Sequence, residues 1–164
     1  MTLGATLVAM SELLRLLYQG KRDDAAALLS ADPPPVLDIF EAAAAGDEAR
    51  VAALVRDDRT ATEMWTDDGF TALHYACFFG GAGAARVLLE AGADPNVASR
   101  NDMGVRPINS AAAGPDALRT IRILLDHGAD PNGKQASGHT ALDEAELNKA
   151  DELIDLLLSR GATP

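Results

Sequence analysis

Aromatic residues are scarce, at 4 % of 164 residues: one tryptophan, two tyrosines and four phenylalanines. Hydrophobic residues nonetheless reach 48 %, so the core is expected to be mostly Ala and Leu. Such a composition suits closely packed helices rather than a sheet. A single cysteine excludes an intramolecular disulfide and makes a reducing cytosol the simplest setting. Basic residues are few as well, 14 against 25 acidic, for a net charge of −11. That balance argues against nucleic acid or an anionic membrane as the main partner. No run approaches the ~20 apolar residues of a membrane span. The opening M-T-L-G-A-T-L-V-A-M is apolar but lacks a basic n-region and soon meets Ser11-Glu12, a poor signal peptide. These absences lead to the expectation of a soluble, cytoplasmic protein forming one compact unit.

What is present is a recurring unit, read most easily between residues 67 and 98. Gly69 supplies a turn, Thr71 is placed to cap a helix running to about Phe79, and Gly80-Gly81 breaks it. A second helix carries Val87, Leu88 and Leu89 and stops at Gly92, where a left-handed backbone suits glycine. Asp94, Pro95 and Asn96 form the exit loop, with Asx-type side-chain bonds expected. Gly69, Gly104 and Gly138 recur at intervals of 35 and 34 residues, and G-A-D-P-N at 92–96 returns 36 residues on at 128–132. The paired leucines Leu88-Leu89 return as Leu124-Leu125 and Leu157-Leu158. A helix-turn-helix period near 33 indicates a solenoid.

With T-A-L-H-Y-A (71–76), R-P-I-N-S-A-A (106–112), T-A-L-D-E-A (140–145) and the two G-A-D-P-N strings, the chain resembles an ankyrin-repeat protein. The expected fold is an all-α solenoid of about five stacked helix-turn-helix units with short loop or β-turn fingers. Three units carry the motifs: 66–98, 99–133 and a C-terminal capping repeat at 134–164. Residues 1–34 and 35–65 are assigned as divergent repeats, since Gly46 matches Gly20, Leu54-Val55 match Leu28-Leu29 and Asp58 matches Asp32. Pro33-Pro34-Pro35 reads as a stiff join within the array. The stretch 57–66 has room for one extra helical turn at Thr60 to Trp65, with Trp65 wedged into the adjacent helix pair.

Two departures matter. Arg106 replaces the capping Thr, so that helix start needs another acceptor, with Asp102 or Asn101 as candidates. The last unit is decorated with Asp143, Glu144, Glu146, Asp151, Glu152 and Asp155, read as the solvated face of a cap. At the other end Leu3, Leu7, Val8 and Met10 either fold back over the first pair or self-associate.

Candidate chemistry is sparse. His74 and Cys77 share a helix face, the proximity a Cys/His nucleophile requires. The resemblance instead implies that the His74 imidazole bonds the turn backbone and ties units together, with Asn109 and Asp143 in its place in the next two units. His139 and Asp143 stand at i, i+4, but His139 is expected to precede the helix. Nothing matches C-x-x-C, H-E-x-x-H, an EF-hand loop, a P-loop or G-x-G-x-x-G, so no metal, cofactor or nucleotide is expected. The adjacent carboxylates Asp67-Asp68 diverge rather than converge on a substrate.

The resemblance implies that a partner docks on the concave face, built from loop tips and exposed first-helix positions. Carried over residue by residue, these are Asp67, Asp68, Phe70, Phe78 and Phe79, then Asp102, Met103, Val105 and Ala113, then Ala136, Ser137, His139, Leu147 and Asn148. Exposed aromatics are typical anchors, and the three phenylalanines stand out in so aromatic-poor a chain. The alternative for Phe78 or Phe79 is packing against the preceding divergent unit. The expectation is a non-catalytic, monomeric protein-protein interaction module whose partner presents a basic surface. The alternative function is a small-ligand-binding or enzymatic protein using His74 with Cys77 or His139 with Asp143.

Overall fold

The computed structural model describes residues 11–164. The apolar set Leu3, Leu7, Val8 and Met10 lies outside those residues. The described chain is all helix, turn and loop, with no strand among the described residues. Its α-helices are α1 (Glu12–Tyr18), α2 (Arg22–Leu29), α3 (Ile39–Ala45), α4 (Glu48–Asp57), α5 (Ala72–Tyr75), α6 (Ala82–Glu90), α7 (Pro107–Ala112), α8 (Ala117–Asp126), α9 (Ala141–Leu147) and α10 (Asp151–Ser159). A 3-10 turn at Arg59–Glu63 occupies the place where an extra helical turn was expected. A π-helical turn, Ala76–Gly80, extends α5.

The helices form five antiparallel-type pairs stacked in two layers. First helices α1, α3, α5, α7 and α9 contact one another in sequence, and second helices α4, α6, α8 and α10 do likewise. Small side chains permit this stacking: Ala42, Ala43, Ala72, Ala76, Ala84, Ala85, Ala111 and Ala141 are fully buried. Leu73, Leu88, Ile108, Ile121, Leu124 and Leu157 fill the space between layers. The core is thus aliphatic and continuous along the array, as a stack of units that cannot each bury their own faces requires.

Each motif-bearing unit begins with a finger. Thr66 N–H donates to Phe70 O at 2.9 Å, Ser99 N–H to Val105 O at 2.7 Å and Gln135 N–H to His139 O at 3.1 Å, closing three tight loops. The loops are also joined to one another, by Arg100 N–H to Gly69 O and Ala136 N–H to Met103 O, both 2.8 Å. A row of side chains therefore projects in register from successive finger tips.

Helix starts share one device. The third residue of α3, α5, α7 and α9 reaches back to the cap amide: Asp38 N–H to Glu41 (3.0 Å), Thr71 N–H to His74 (3.2 Å), Arg106 N–H to Asn109 (3.1 Å) and Thr140 N–H to Asp143 (2.7 Å). This is the return half of a capping box. At Arg106 neither Asp102 nor Asn101 supplies the missing acceptor: Asn109 N–H donates to the Arg106 carbonyl at 3.0 Å, and the Asn101 side chain accepts from Met103 N–H within its own loop. The G-A-D-P-N loops carry the expected Asx turns, Asn96 N–H to Asp94 and Asn132 N–H to Asp130. Their asparagines also do something the sequence reading did not assign. Asn96 donates to Gly128 O (2.9 Å) and accepts from Asp130 N–H (2.7 Å), while Asn132 donates to Gly161 O (3.0 Å) and accepts from Thr163 N–H (2.9 Å). Each unit's exit loop is thereby fastened to the next.

Candidate functional site

All seven aromatic side chains of the chain belong to one connected cluster around His74 and Tyr75. Tyr18 stands edge-on to Phe79 at 4.8 Å, Phe79 edge-on to Phe78 at 4.6 Å, and Phe40, Phe70 and Tyr18 all surround Tyr75. Trp65 joins through His74 and is covered by the Arg100 guanidinium, 4.0 Å from its ring centroid. Trp65 is thus half-buried against the next finger's arginine. Edge-to-face geometry matches the ring quadrupoles and adds to the area buried.

The π turn sets where these rings point. Gly81 N–H reaches Ala76 O at 2.7 Å, a five-residue closure that makes room for one more residue than an α-turn. The turn lies hard against the end of α3, where a Cβ added at Gly80 would come within 1.9 Å of Ala43 O. Only glycine allows that approach. Phe79 is consequently directed toward α1, while Phe78 is left 38 % exposed. Local widenings of this kind often accompany functional sites.

The cluster walls a cavity of about 340 Å³ on the finger side. Tyr18 comes from the first pair, Phe70, Tyr75, Phe78 and Phe79 from the third, and Met103, Val105 and Ala113 from the fourth. His74, Asn109, Ser110 and Gln135 supply its polar atoms. No Lys, Arg, Asp or Glu side chain lines it. Asp68 sits just behind, accepting from the Tyr75 hydroxyl at 3.2 and 3.3 Å and from Thr66. Burial together with neighbouring Tyr18 and Asp68 pushes the Tyr75 hydroxyl pKa well up.

His74 is fixed from both sides. Val105 O can only accept, so Nε2 carries the proton and donates to it at 2.9 Å, leaving Nδ1 to accept from Thr71. Burial pushes the His74 pKa down to about 4 against the opposing pull of its backbone bonds. With both nitrogens engaged, the imidazole has none free for Cys77. Burial also drives the Cys77 thiol far above its ordinary value, away from the reactive thiolate. Asn109 repeats the arrangement with an amide, accepting from Arg106 N–H and donating to Gly133 O at 3.0 Å. Asp143, a carboxylate, accepts from Thr140 and has no proton to pass on; those bonds hold its pKa below the usual range.

Of the residues singled out by sequence, the structure brings Phe70, Phe78, Phe79, Met103, Val105 and Ala113 to one cavity. Phe70 and Phe79 are half-buried there, and Met103 is 53 % exposed. Asp67 and Asp102 are exposed on the fingers beside them, Asp68 half-buried. Ala136, Ser137 and Asn148 are exposed on the last unit, as is Leu147 at 73 %, but none of them lines the cavity. His139 precedes α9 and turns to Glu144 (3.2 Å) more closely than to Asp143 (3.9 Å). Tyr18, Tyr75, Ser110 and Gln135 were not singled out; the scarcity of aromatics was the one signal for the two tyrosines. Among the described residues no three His, Cys, Asp or Glu side chains converge on a metal-sized site, and no helix is long and apolar enough to cross a membrane.

Fold and site define a helix-pair solenoid with a preformed apolar pocket. Comparison with known sequences supplies its family. The ankyrin repeat profile matches residues 68–100. A putative ankyrin repeat-containing protein of Treponema pallidum is 35 % identical over 132 residues, 80 % of this chain and 43 % of that protein. Ankyrin repeat and SOCS box protein 16 of Mus musculus is 36 % identical over 146 residues, 79 % of this chain and 31 % of its own. BCL-6 corepressor-like protein 1 of Homo sapiens is 40 % identical over 93 residues, 54 % of this chain and 5 % of its own. The chain is an ankyrin-repeat protein. It spans less than half the length of each of these relatives. Ankyrin repeats are in general protein-protein interaction modules and typically not enzymes.

Proposed function

We propose that residues 1–164 act as one ankyrin-repeat domain, with units at 1–34, 35–65, 66–98, 99–133 and 134–164, that binds a partner protein through its concave, finger-side face. The observation that carries this reading is the aromatic pocket, in which Tyr18, Phe78 and Met103 are exposed side by side, whereas Val36, Met64, Leu147 and Leu158 lie exposed outside it. Apolar and aromatic side chains held in a rigid concavity are what binding anchors require, and little ordering entropy is lost when the receptor is preformed. The mechanism is occlusion or scaffolding without chemistry. Phe70, Phe78, Phe79, Met103 and Val105 make the centre of the interface; Asp67, Asp68 and Asp102 make its rim. Ala136, Ser137, His139 and Leu147 extend it along the last unit. A net charge of −11 calls for a basic surface on the partner and disfavours nucleic acid. The protein works as a cytoplasmic monomer in this reading.

The test is capture of native partners by wild type, by a Phe78→Ala/Met103→Ala variant and by Val36→Ala, whose exposed side chain lines a separate groove with Leu29 and Pro35. Loss of the same protein from the first variant alone supports the assignment. Capture indifferent to Phe78 and Met103 removes it.

A further inference from the structure

We infer that the aromatic pocket receives one large apolar side chain of a linear, cationic protein segment, with a Lys or Arg of that segment reaching the Asp67 and Asp102 fingers. This rests on the concave-face reading above and specifies the partner's chemistry.

A cavity of about 340 Å³ has room for one large side chain, whether an extended or a helical segment presents it. Lining decides the chemistry of that side chain. Tyr18, Phe70, Phe78, Phe79, Met103 and Val105 offer apolar surface, and the donors and acceptors of His74 are already spent on Thr71 and Val105. A charged group placed inside would lose hydration and meet no opposite charge, since no ionised side chain lines the wall.

The rim decides the charge. Asp67 and Asp102 are exposed on adjacent fingers, next to the lining residues Phe70 and Met103, and neither is in an ion pair among the described residues. The two finger cations are disposed otherwise: Arg100 lies over Trp65, and Lys134 acts on Asp143. Arg100 and Lys134 keep their charges, so the three fingers set Asp67, Asp68 and Asp102 against two cations, a small net negative charge beside a neutral cavity. A segment with its apolar anchor and its positive charge within one or two residues satisfies both.

A displayed library of random twelve-residue peptides, selected on the purified full chain, tests this. Enrichment of a large apolar residue with Lys or Arg one or two positions away is the expected result. A synthetic peptide of the enriched sequence should bind at least about tenfold more weakly to Phe78→Ala. It should bind several-fold more weakly to Asp67→Asn/Asp102→Asn, with a flatter salt dependence. Enriched peptides without basic residues, or binding unaffected by the Asn variants but lost with Phe78→Ala, overturn the charge inference and leave the concave-face reading standing. Peptides indifferent to Phe78 overturn both. If no peptide is enriched although the native partner is still captured through Phe78, the linear-segment inference falls alone.

Discussion

His74 Nε2 lies 2.9 Å from the Val105 carbonyl of the next unit, and Asn109 Nδ2 lies 3.0 Å from the carbonyl of Gly133, the last residue of its own unit. Histidine and asparagine thus perform one task at equivalent positions: accept from a helix cap, donate to the following loop. Only the histidine titrates. Its pKa falls from 6.5 to about 4 on folding, so the unfolded chain binds a proton between those values and the folded chain does not. The contribution is fully present above pH 6.5, is lost as pH falls toward 4, and amounts to about 3 kcal/mol at most. His74→Asn should keep the tie and remove that part of the slope. Denaturant melts of both proteins from pH 7 to 4.5 check it; parallel curves would show that His74 does not carry the effect.

Much of this was readable in the sequence, for local reasons. The turn glycines, the Thr71–His74 cap and the Asx turns at Asp94 and Asp130 each act within a few residues, so they are visible without tertiary knowledge. The pocket was only half visible. Tyr18 meets Phe79 across 61 positions of sequence, a contact created by stacking alone. The π turn has no composition of its own and yet decides which of Phe78 and Phe79 faces solvent. The replacement for the Thr cap before α7 was not legible, because the acceptor is the Arg106 backbone carbonyl, a group that every residue carries.

The interlocking asparagines should be worth measuring individually. Asn96→Ala leaves Asp130 N–H and Gly128 O without their partner, and Asn132→Ala does the same to Thr163 N–H and Gly161 O. Both sites are half-buried, so a loss of about 1–2 kcal/mol each is expected, the range for removing hydrogen bonds whose partners retain some access to water. Asp130 links the two sites, donating its N–H to Asn96 and accepting from Asn132 N–H, so the double variant should depart from additivity. Urea midpoints at constant m-value provide the readout.

Cys77 gives a clean probe of core integrity. The thiol is almost fully buried and its pKa is raised by burial, so thiol reagents should label it only through opening of the array. Rapid stoichiometric labelling of the native protein would revive the Cys77/His74 pairing as a reactive site.

Phe78 and Phe79 should separate in mutagenesis although they are neighbours. Phe78→Ala removes a ring already well exposed, and a cost under about 1 kcal/mol is expected. Phe79→Ala removes the half-buried ring that Tyr18 and Tyr75 pack against, with an expected loss of about 1–3 kcal/mol. Thermal melts of the two single variants distinguish an anchor from a wall; equal losses would mean that Phe78 is also part of the core.

Gly80 is the most exacting position of the π turn. A methyl there would stand 1.9 Å from the Ala43 carbonyl oxygen, which belongs to a helix backbone and cannot rotate away. Gly20, by contrast, has nothing within 4 Å of its would-be Cβ, and only its positive φ of 71° resists substitution. Gly20→Ala should therefore cost about 1 kcal/mol from backbone strain. Gly80→Ala must force α3 and the π turn apart, with a loss of about 3 kcal/mol or more and displacement of Phe79 from Tyr18. Comparing melts with the near-ultraviolet signal of the aromatic cluster tells the two apart, because strain at Gly20 leaves that signal intact. A Gly80→Ala protein as stable as Gly20→Ala, with its aromatic signal unchanged, would show that the close approach to Ala43 does not set the π turn.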